Sequence, residues 1–339
     1  MDLVIQIHEV ANTGKRVRTK LPMPKNKTAF VTGAEGFIGS HLIKFLHAKG
    51  WEVLGSYRMH GRNKFPEAAN VRFEQCDLRD GQRLARILGE YQPTHIFHLG
   101  AQSLPTVSWA DPVGTFESNI MGSLHLFEAV RHMKRAPVVV SACSSAEYGN
   151  VPPSAIPVTE ERALRPLHPY GISKVCLELL AREYFLDYKI PSVNLRLFNT
   201  TGPGKTDDAP SDFVRQLVRI KKGLQAPVIE VGNLTPRRAF MDVRDTVKGF
   251  YLAASKGKRG EAYNLCASST IEVGELLRTA IRLSGLKVEV RPAAHLMRPS
   301  DEKIIFGSTV KFSKDTGWKP IVSIEQTLSS MLEYWDRNL

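Results

Sequence analysis

Ala29-Phe30-Val31-Thr32-Gly33-Ala34-Glu35-Gly36-Phe37-Ile38-Gly39-Ser40-His41-Leu42-Ile43-Lys44-Phe45-Leu46 decides the fold class. The first four residues are a short apolar run that suits a buried strand. Gly33, Gly36 and Gly39 follow, spaced three apart. Ile38, Leu42, Phe45 and Leu46 then fall at helical spacing. Strand, glycine turn and helix in that order open a parallel sheet with helices on both faces. Gly33 takes the tight turn, Gly36 lets backbone approach phosphate, and Gly39 lets the helix pack on the strand. The helix N-terminus then offers unpaired N–H groups to a dinucleotide pyrophosphate. An ordinary βα turn would share the glycines, so the flanking strand and helix carry the reading.

The same alternation continues. Phe30 to Thr32, Val53 to Ser56, Val71 to Glu74, His95 to Leu99, Val138 to Cys143 and Ser192 to Phe198 read as strands. The fold class expected is α/β, a doubly wound parallel sheet (Rossmann) with a smaller C-terminal α/β substrate lobe. The expected division is a basic extension over 1–27 and a dinucleotide-binding domain over 28–198, with a returning segment near 242–268. The substrate lobe takes 199–241 and 269–339. It includes a helix near 212–223, and Ala262 to Cys266 returns to the main sheet.

The second strand, Glu52 to Arg58, ends without the acid that usually holds a ribose 2′-hydroxyl. Arg58 stands there instead, with Arg62 and Lys64 behind it. Cations at that point suit a 2′-phosphate, so NADP(H) is expected, with NAD(H) as the alternative. A solvated basic loop is the competing reading. Asp77, after the strand Val71 to Gln75, is placed to accept a hydrogen bond from the adenine amino group.

Tyr170 and Lys174 stand four apart on a helical stretch and share a face. A free tyrosine has a pKa of about 10, too high for efficient proton transfer at neutral pH. An adjacent ammonium lowers it, and Lys174 can also hold the nicotinamide ribose. Val138 to Cys143 runs as a buried strand into Ser144 and Ser145. The carboxyl end of such a strand is where open α/β sheets bind ligands. Serines in turns are usually local caps; beside Tyr170 and Lys174, Ser144 or Ser145 reads as a group that hydrogen-bonds a substrate carbonyl or alkoxide.

These residues carry a family resemblance, with ordered motifs from Lys27 to about Trp335. The motifs are Thr32-Gly33-Ala34-Glu35-Gly36-Phe37-Ile38-Gly39, Cys76-Asp77-Leu78-Arg79-Asp80 and Phe97-His98-Leu99-Gly100-Ala101-Gln102-Ser103. Ser118-Asn119-Ile120-Met121-Gly122, Tyr148-Gly149, Pro169-Tyr170-Gly171-Ile172-Ser173-Lys174 and Arg196-Leu197-Phe198-Asn199 follow. Asp242-Val243-Arg244-Asp245 and Thr316-Gly317-Trp318-Lys319-Pro320 complete the set. The chain resembles the extended short-chain dehydrogenases/reductases that modify nucleotide sugars. Within them it is most similar to GDP-mannose 4,6-dehydratases and GDP-4-keto-6-deoxymannose reductases, through Asn199 with Thr201-Gly202-Pro203-Gly204, Val231-Gly232-Asn233-Leu234 and Arg298-Pro299-Ser300.

The resemblance implies Ser144, Tyr170 and Lys174 as catalytic groups. It implies that Phe37, Ile38, Leu78, Leu99 and Ala101 join the glycines, Arg58 and Asp77 around the cofactor. Arg238 and Arg298 match positions that clamp the nucleotide diphosphate, where a planar guanidinium pairs phosphate oxygens bidentately; a surface salt bridge is the bland alternative. Asn199 and Asn233 are candidates for bonds to phosphate and base. Ser145 falls on the sugar side, and Ser103 and Gln102 are candidates to touch cofactor or sugar. His98, in a buried strand, reads as a structural hydrogen-bonder.

One departure separates the branches. In the dehydratases the resemblance implies a glutamate two residues before Tyr-Gly that removes the C5 proton. Ala146 stands at that position here. Glu147 is adjacent, and on an extended segment a one-residue shift turns its side chain to the other face. The expectation is therefore NADPH-dependent reduction of a nucleotide-linked 4-keto-6-deoxy sugar, of the GDP-4-keto-6-deoxymannose to GDP-rhamnose type. A dehydratase or 4-epimerase with tightly bound NAD(P), and a non-catalytic NADP-binding sensor, are the alternatives.

The 339 residues carry a net charge of +12 without a nucleic-acid motif. Polyanionic ligands account for part of that charge. Four cysteines and ten histidines show no metal-ligand spacing, so no metal is expected and the cysteines read as buried thiols. Residues 1–27 are basic and proline-punctuated, read as a loose surface tail, with Met1–Val10 able to add a strand. No signal-peptide core or membrane span is seen, so the expected location is cytoplasmic and no membrane partner is expected. The family resemblance implies a homodimer or tetramer through helices near Val113–Arg131 and Ser173–Tyr188.

Overall fold

A computed structural model of the chain describes residues 27–58, 69–297 and 304–339. The expected tail and Met1–Val10 strand, Arg62, Lys64 and Arg298 lie outside the described residues.

The central sheet is formed by β1 (Thr28–Thr32), β2 (Glu52–Tyr57), β3 (Val71–Gln75), β4 (His95–His98), β5 (Val138–Ser144), β6 (Ser192–Leu197) and β7 (Ala262–Leu265). Its seven strands are all parallel, in the order β7-β6-β5-β4-β1-β2-β3. The chain winds outward from β1 through β2 and β3, then returns to place β4 on the other side. The carboxyl ends of β1 and β4 are thus the switch point where such sheets bind ligands.

Alternation along each strand feeds two cores, one on each face. Ala29 and Val31 pack with Leu42, Phe250 and Trp318 on one face. Phe30, between them, packs with Leu84, Leu126 and Leu177 on the other. The first face is covered by α1 (Phe37–Ala48) and α6 (Val243–Lys256), the second by α2 (Gly81–Tyr91), α3 (Gly122–Arg131) and α4 (Pro169–Tyr188). A third core joins α5 (Ala209–Lys221), α7 (Val273–Ser284) and α8 (Ile324–Asn338) through Phe213, Leu217, Leu277, Leu328 and Met331. Short strands edge that lobe: Val228–Val231 pairs with Glu289–Pro292, and Arg237–Arg238 with Ile271–Glu272 and Ile304–Ile305.

Three expectations shift. The helix expected near 212–223 starts at Ala209, because Asp208 accepts the Ser211 N–H as its N-cap. The expected helix Val113–Arg131 is interrupted by a wider turn at Glu117–Met121, closed by the Gly122 N–H donating back to the Glu117 carbonyl. Cys176 is only half-buried, whereas Cys76, Cys143 and Cys266 are buried as expected.

Candidate active site

The glycine turn is shaped by close approach. Gly33 has φ +68°, and a Cβ there would meet Gly100 Cα and N at 2.9 Å. A Cβ on Gly39 would lie 2.1 Å from the Gly33 carbonyl oxygen, so any side chain would push α1 off the turn. Thr32, the last residue of β1, fixes the facing loop: its hydroxyl accepts the Leu99 and Gly100 N–H groups at 3.0 and 2.9 Å. The same hydroxyl lies 2.9 Å from His98 Nδ1, and His98 Nε2 is 3.0 Å from Ser123 Oγ. Burial drives His98 down to about 3, so it is neutral and ties β1, β4 and α3 together. That is the structural hydrogen-bonder expected from the sequence. Phe37 and Ile38 are half-buried at the start of α1, Leu99 and Ala101 half-buried in the facing loop, and Leu78 is buried beside it.

Arg58, just past β2, lines an open cleft of about 480 Å³ that it shares with Gln75, Asp77, Arg79, Asp80 and Arg83. The Asp77 carboxylate takes Arg79 as a bidentate partner, Nη2 to Oδ2 at 2.8 Å, and that guanidinium holds Asp77 below the usual carboxylate range. Arg79 and Arg83, two cations absent from the sequence reading of this site, come from the turn after β3 and the start of α2. Arg79 stands inside the Cys76-Asp77-Leu78-Arg79-Asp80 motif, whereas Arg83 lies three residues beyond it. The glycine cradle and the arginine-lined cleft fit a dinucleotide with a 2′-phosphate: the first leaves room for backbone to approach phosphate, the second supplies cations.

Ser144 ends β5 and Tyr170 sits in the first turn of α4. The Ser144 and Tyr170 side chains hydrogen-bond, and Lys174 Nζ lies 5.8 Å from the Tyr170 ring centroid. All three residues named for the chemistry therefore meet. One detail differs from expectation. Lys174 Nζ donates to the Ala142 carbonyl at 2.8 Å, and burial pushes Tyr170 up to about 12 rather than down. The Ser144 bond works against that rise, and Glu147 and Cys143 add to it. Tyr170 is thus a protonated phenol at neutral pH, the state a proton donor needs. The i,i+4 spacing alone could not reveal that the ammonium has a backbone acceptor in β5, 32 residues earlier in sequence.

The turn after β5 fixes where Glu147 points. Ala146 is half-buried and Glu147 fully buried. The segment is a short helical turn, Ser145–Glu147, rather than the extended piece expected. Glu147 still turns inward, because its Oε1 accepts the Ser144 N–H at 2.7 Å while Ser144 Oγ accepts the Ala146 N–H at 3.2 Å. The physical reason is this reciprocal cap, not strand alternation.

Two further side chains hold the tyrosine turn. Asn119, buried in the wide turn before α3, donates through Nδ2 to Ser173 Oγ and to the Gln102 carbonyl, both at 2.9 Å, and accepts the Gln102 N–H at 2.7 Å. His168 caps α4, its Nδ1 accepting the Gly171 N–H at 3.0 Å, and stacks on Tyr170 with ring centroids 5.9 Å apart. That acceptor role places the imidazole proton on Nε2, and burial holds His168 below its usual value. The Gln102 amide is spent on Leu104 and Thr115, so it braces its loop rather than facing a ligand.

The residues assigned to substrate are spread over the lobe side. Ser103 is exposed beyond β4 and Ser145 half-buried beside Ser144. Asn199 is exposed just past β6, where its carbonyl accepts the Met241 N–H. Arg238 is half-buried on its short strand, with Nη1 donating to the Arg237 carbonyl at 3.0 Å. Asn233 spends Oδ1 locally on the Thr235 N–H and hydroxyl.

The sequence matches the family described as GDP-mannose 4,6 dehydratase over residues 30–331. It is 29% identical over 310 residues to a GDP-6-deoxy-D-mannose reductase of Pseudomonas aeruginosa, covering 91% of this chain and 96% of that one. The structure of RMD from Pseudomonas aeruginosa complexed with NADPH superposes with a TM-score of 0.82 at 28% identity, over 93% of this chain and 100% of that one. A Thermus thermophilus UDP-glucose 4-epimerase in complex with NAD gives 0.81 at 29% identity, over 91% and 98%.

Proposed function

The chain belongs to the GDP-mannose 4,6-dehydratase family, and from that premise we propose that it is the reductase of the branch, reducing the 4-keto group of a GDP-linked 4-keto-6-deoxy sugar with NADPH. It is an enzyme of the extended short-chain dehydrogenase/reductase fold, with a nicotinamide dinucleotide as cofactor and NAD(H) as the alternative to NADP(H). The observation that carries the proposal is the turn after β5. Ser144 and Tyr170 hydrogen-bond to each other there, Ala146 stands where the family resemblance puts the eliminating carboxylate, and Glu147 is held inward by the Ser144 N–H.

In this reading the keto oxygen accepts hydrogen bonds from Ser144 and Tyr170. When held by the glycine turn and Lys174, a reduced nicotinamide dinucleotide would supply the hydride for C4. Tyr170 gives its proton to the oxygen, and carbonyl plus hydride plus proton closes as the C4 alcohol. Lys174, buried within reach of the ring, stabilises the phenolate left behind. Gly33, Gly36, Phe37, Ile38 and Gly39 take the pyrophosphate, Leu78, Leu99 and Ala101 line the cofactor, and Arg58 meets the 2′-phosphate. Asn199, Asn233, Arg238 and Arg298 take the nucleotide diphosphate, with Ser103 and Ser145 toward the sugar. Residues 28–198 with the returning segment hold the cofactor, and 199–241 with 269–339 hold the sugar nucleotide.

The proposal includes a homodimer. Exposed apolar side chains lie on the helices beside Tyr170: Trp109 and Val113 before α3, and Ile172, Leu179 and Leu186 on α4. Their burial between two copies is the driving force. The cytoplasmic location belongs to the same reading; no helix among the described residues is long and apolar enough to cross a membrane.

The test is stoichiometry. Purified protein given GDP-4-keto-6-deoxymannose consumes one NADPH per alcohol formed, and GDP-mannose gives no 4-keto product. Formation of the keto sugar from GDP-mannose, or interconversion of C4 epimers without net NADPH loss, overturns the reductase reading in favour of the dehydratase or epimerase.

A further inference from the structure

Behind Ser144 lies a buried charge cluster that the proposed chemistry does not use. Glu147 and Glu178 are 0% and 8% exposed, and Arg196 is 5% exposed. One oxygen of each carboxyl group and Cys143 Sγ all lie within 4.8 Å of one another. A cation does not explain this grouping, because Arg196 already fills that role. Its Nε donates to Glu178 Oε2 at 2.8 Å and its Nη2 to Glu178 Oε1, while Nη1 donates to the Tyr148 hydroxyl and the Glu160 carbonyl at 2.8 and 3.0 Å.

That arrangement leaves one carboxyl group short. Glu147 Oε1 accepts the Ser144 N–H. Glu147 Oε2 is 3.6 Å from Arg196 Nε, whose hydrogen is committed to Glu178, and Oε2 has no donor. A buried carboxylate oxygen without a donor is costly. A proton on Oε2 changes the account: the oxygen becomes a donor, and the neighbouring Glu178 carboxylate, with four lone-pair sites and two guanidinium bonds, can accept.

We propose that Glu147 works as an uncharged acid and is a positioning residue for the reduction: its carbonyl oxygen fixes the Ser144 backbone and its hydroxyl is held by Glu178. Burial and the Glu178 charge both push Glu147 well above the ordinary carboxylate range, in agreement with that geometry. The state matters to the chemistry because Glu147 acts electrostatically on both Tyr170 and Lys174. As an anion it would oppose the phenolate that Tyr170 becomes on giving up its proton. As an acid it holds the turn and adds no charge. Arg196 and Glu178 then balance each other, and Lys174 Nζ stands 5.8 Å from the Tyr170 ring centroid.

The inference deepens the proposed reductase site, so its first test does not depend on turnover. In difference infrared spectra of the wild-type protein against Glu147→Gln at pH 7, the wild type shows the carbonyl band of a protonated carboxylic acid that the variant lacks. Absence of that band overturns the proposal whatever the enzyme reduces. The second test uses NADPH consumption. Glu147→Gln, whose amide keeps an acceptor for Ser144 and a donor for Glu178, holds kcat within about 3-fold. Glu147→Leu lowers kcat by ~10-fold or more, with the KM for NADPH unchanged, because only the placement of Ser144 is lost. If Glu147→Gln falls as far as Glu147→Leu, the carboxylate charge is needed and the neutral-acid role is wrong. If Glu147→Leu does not fold, the infrared band and Glu147→Gln still decide.

Discussion

Asn119 Nδ2 donates to Ser173 Oγ at 2.9 Å, and that hydroxyl donates in turn to the Tyr170 carbonyl at 2.7 Å. The loop after β4, the wide turn before α3 and the first turn of α4 are thereby fastened by one buried amide that uses both of its donors and its acceptor. Asn119→Ala strands the Gln102 N–H and carbonyl and should cost about 1–3 kcal/mol in urea unfolding. Asn119→Asp should be worse, since it sets a charged acceptor against the Gln102 carbonyl. Both should lower kcat as Tyr170 loosens; an unaltered kcat in either would mean that α4 holds its tyrosine unaided.

Tyr170 and Lys174 make separable predictions. Tyr170→Phe removes the proton donor and should reduce kcat by about 100-fold or more, the scale of a positioned general acid, while NADPH still binds by fluorescence titration. Lys174→Met removes the buried ammonium and its bond to Ala142, and should lower both kcat and cofactor affinity, since Lys174 is also assigned to the nicotinamide ribose. Because Tyr170 is pushed up to about 12, kcat should show no loss from tyrosine ionisation below about pH 9. A basic limb near neutrality that vanishes in Tyr170→Phe/Lys174→Met controls would contradict the protonated phenol.

How much of this was legible without coordinates depends on how far apart the partners are. The glycine turn, β1 and α1 occupy one continuous stretch, and Tyr170 with Lys174 one helix, so their proximity could be read from local pattern, but not the upward push on Tyr170. Ala146 was legible as a missing base for the same reason. Asn119 was not, because its partners lie 17 and 54 residues away. The direction of Lys174 depends on a carbonyl 32 residues earlier in β5. Glu147 was assigned the right side for the wrong reason, since a capping turn replaced the extended segment. Arg79 and Arg83 stood within or beside a quoted motif, but only the fold of the β3–α2 turn brings them to the same cleft as Arg58.

Cofactor preference should follow that cleft. Arg58→Ala is expected to lower kcat/KM for NADPH by about 10-fold, the value of one charge-assisted phosphate contact, with little change for NADH. Arg58 is exposed and its own N–H bonds Glu35 Oε1 through the backbone, so the substitution leaves the turn intact. Equal losses with both dinucleotides would show that Arg58 braces the turn instead of reading the 2′-phosphate.

His98 predicts acid lability. Its folded value is about 3, below the ordinary 6.5, so it is depressed on folding by burial. A depressed value means that the unfolded chain takes up a proton between those limits and the folded chain does not. The stability from neutral His98 is complete above pH 6.5 and is lost as the pH falls toward 3, at up to about 1.4 kcal/mol per pH unit. Urea midpoints measured from pH 7 to pH 4 should fall, and His98→Gln, which keeps a donor and an acceptor between Thr32 and Ser123, should flatten the decline.

The Arg196–Glu178 pair should behave as a buried unit. Both of its members are nearly inaccessible, and Arg196 also carries Tyr148 and the Glu160 carbonyl. Taking away one partner leaves the other charge without compensation in a site that water does not reach. Arg196→Met should therefore destabilise by about 3–5 kcal/mol. Glu178→Met strands a guanidinium and also removes the acceptor for Glu147, and should cost a similar amount. The double substitution removes both charges and should recover part of the loss, because the desolvation of each ion is no longer incurred. If the double variant instead sums the two single losses, the pair contributes through separate contacts, and the Tyr148 and Glu160 bonds rather than the ion pair hold β6 to the turn after β5.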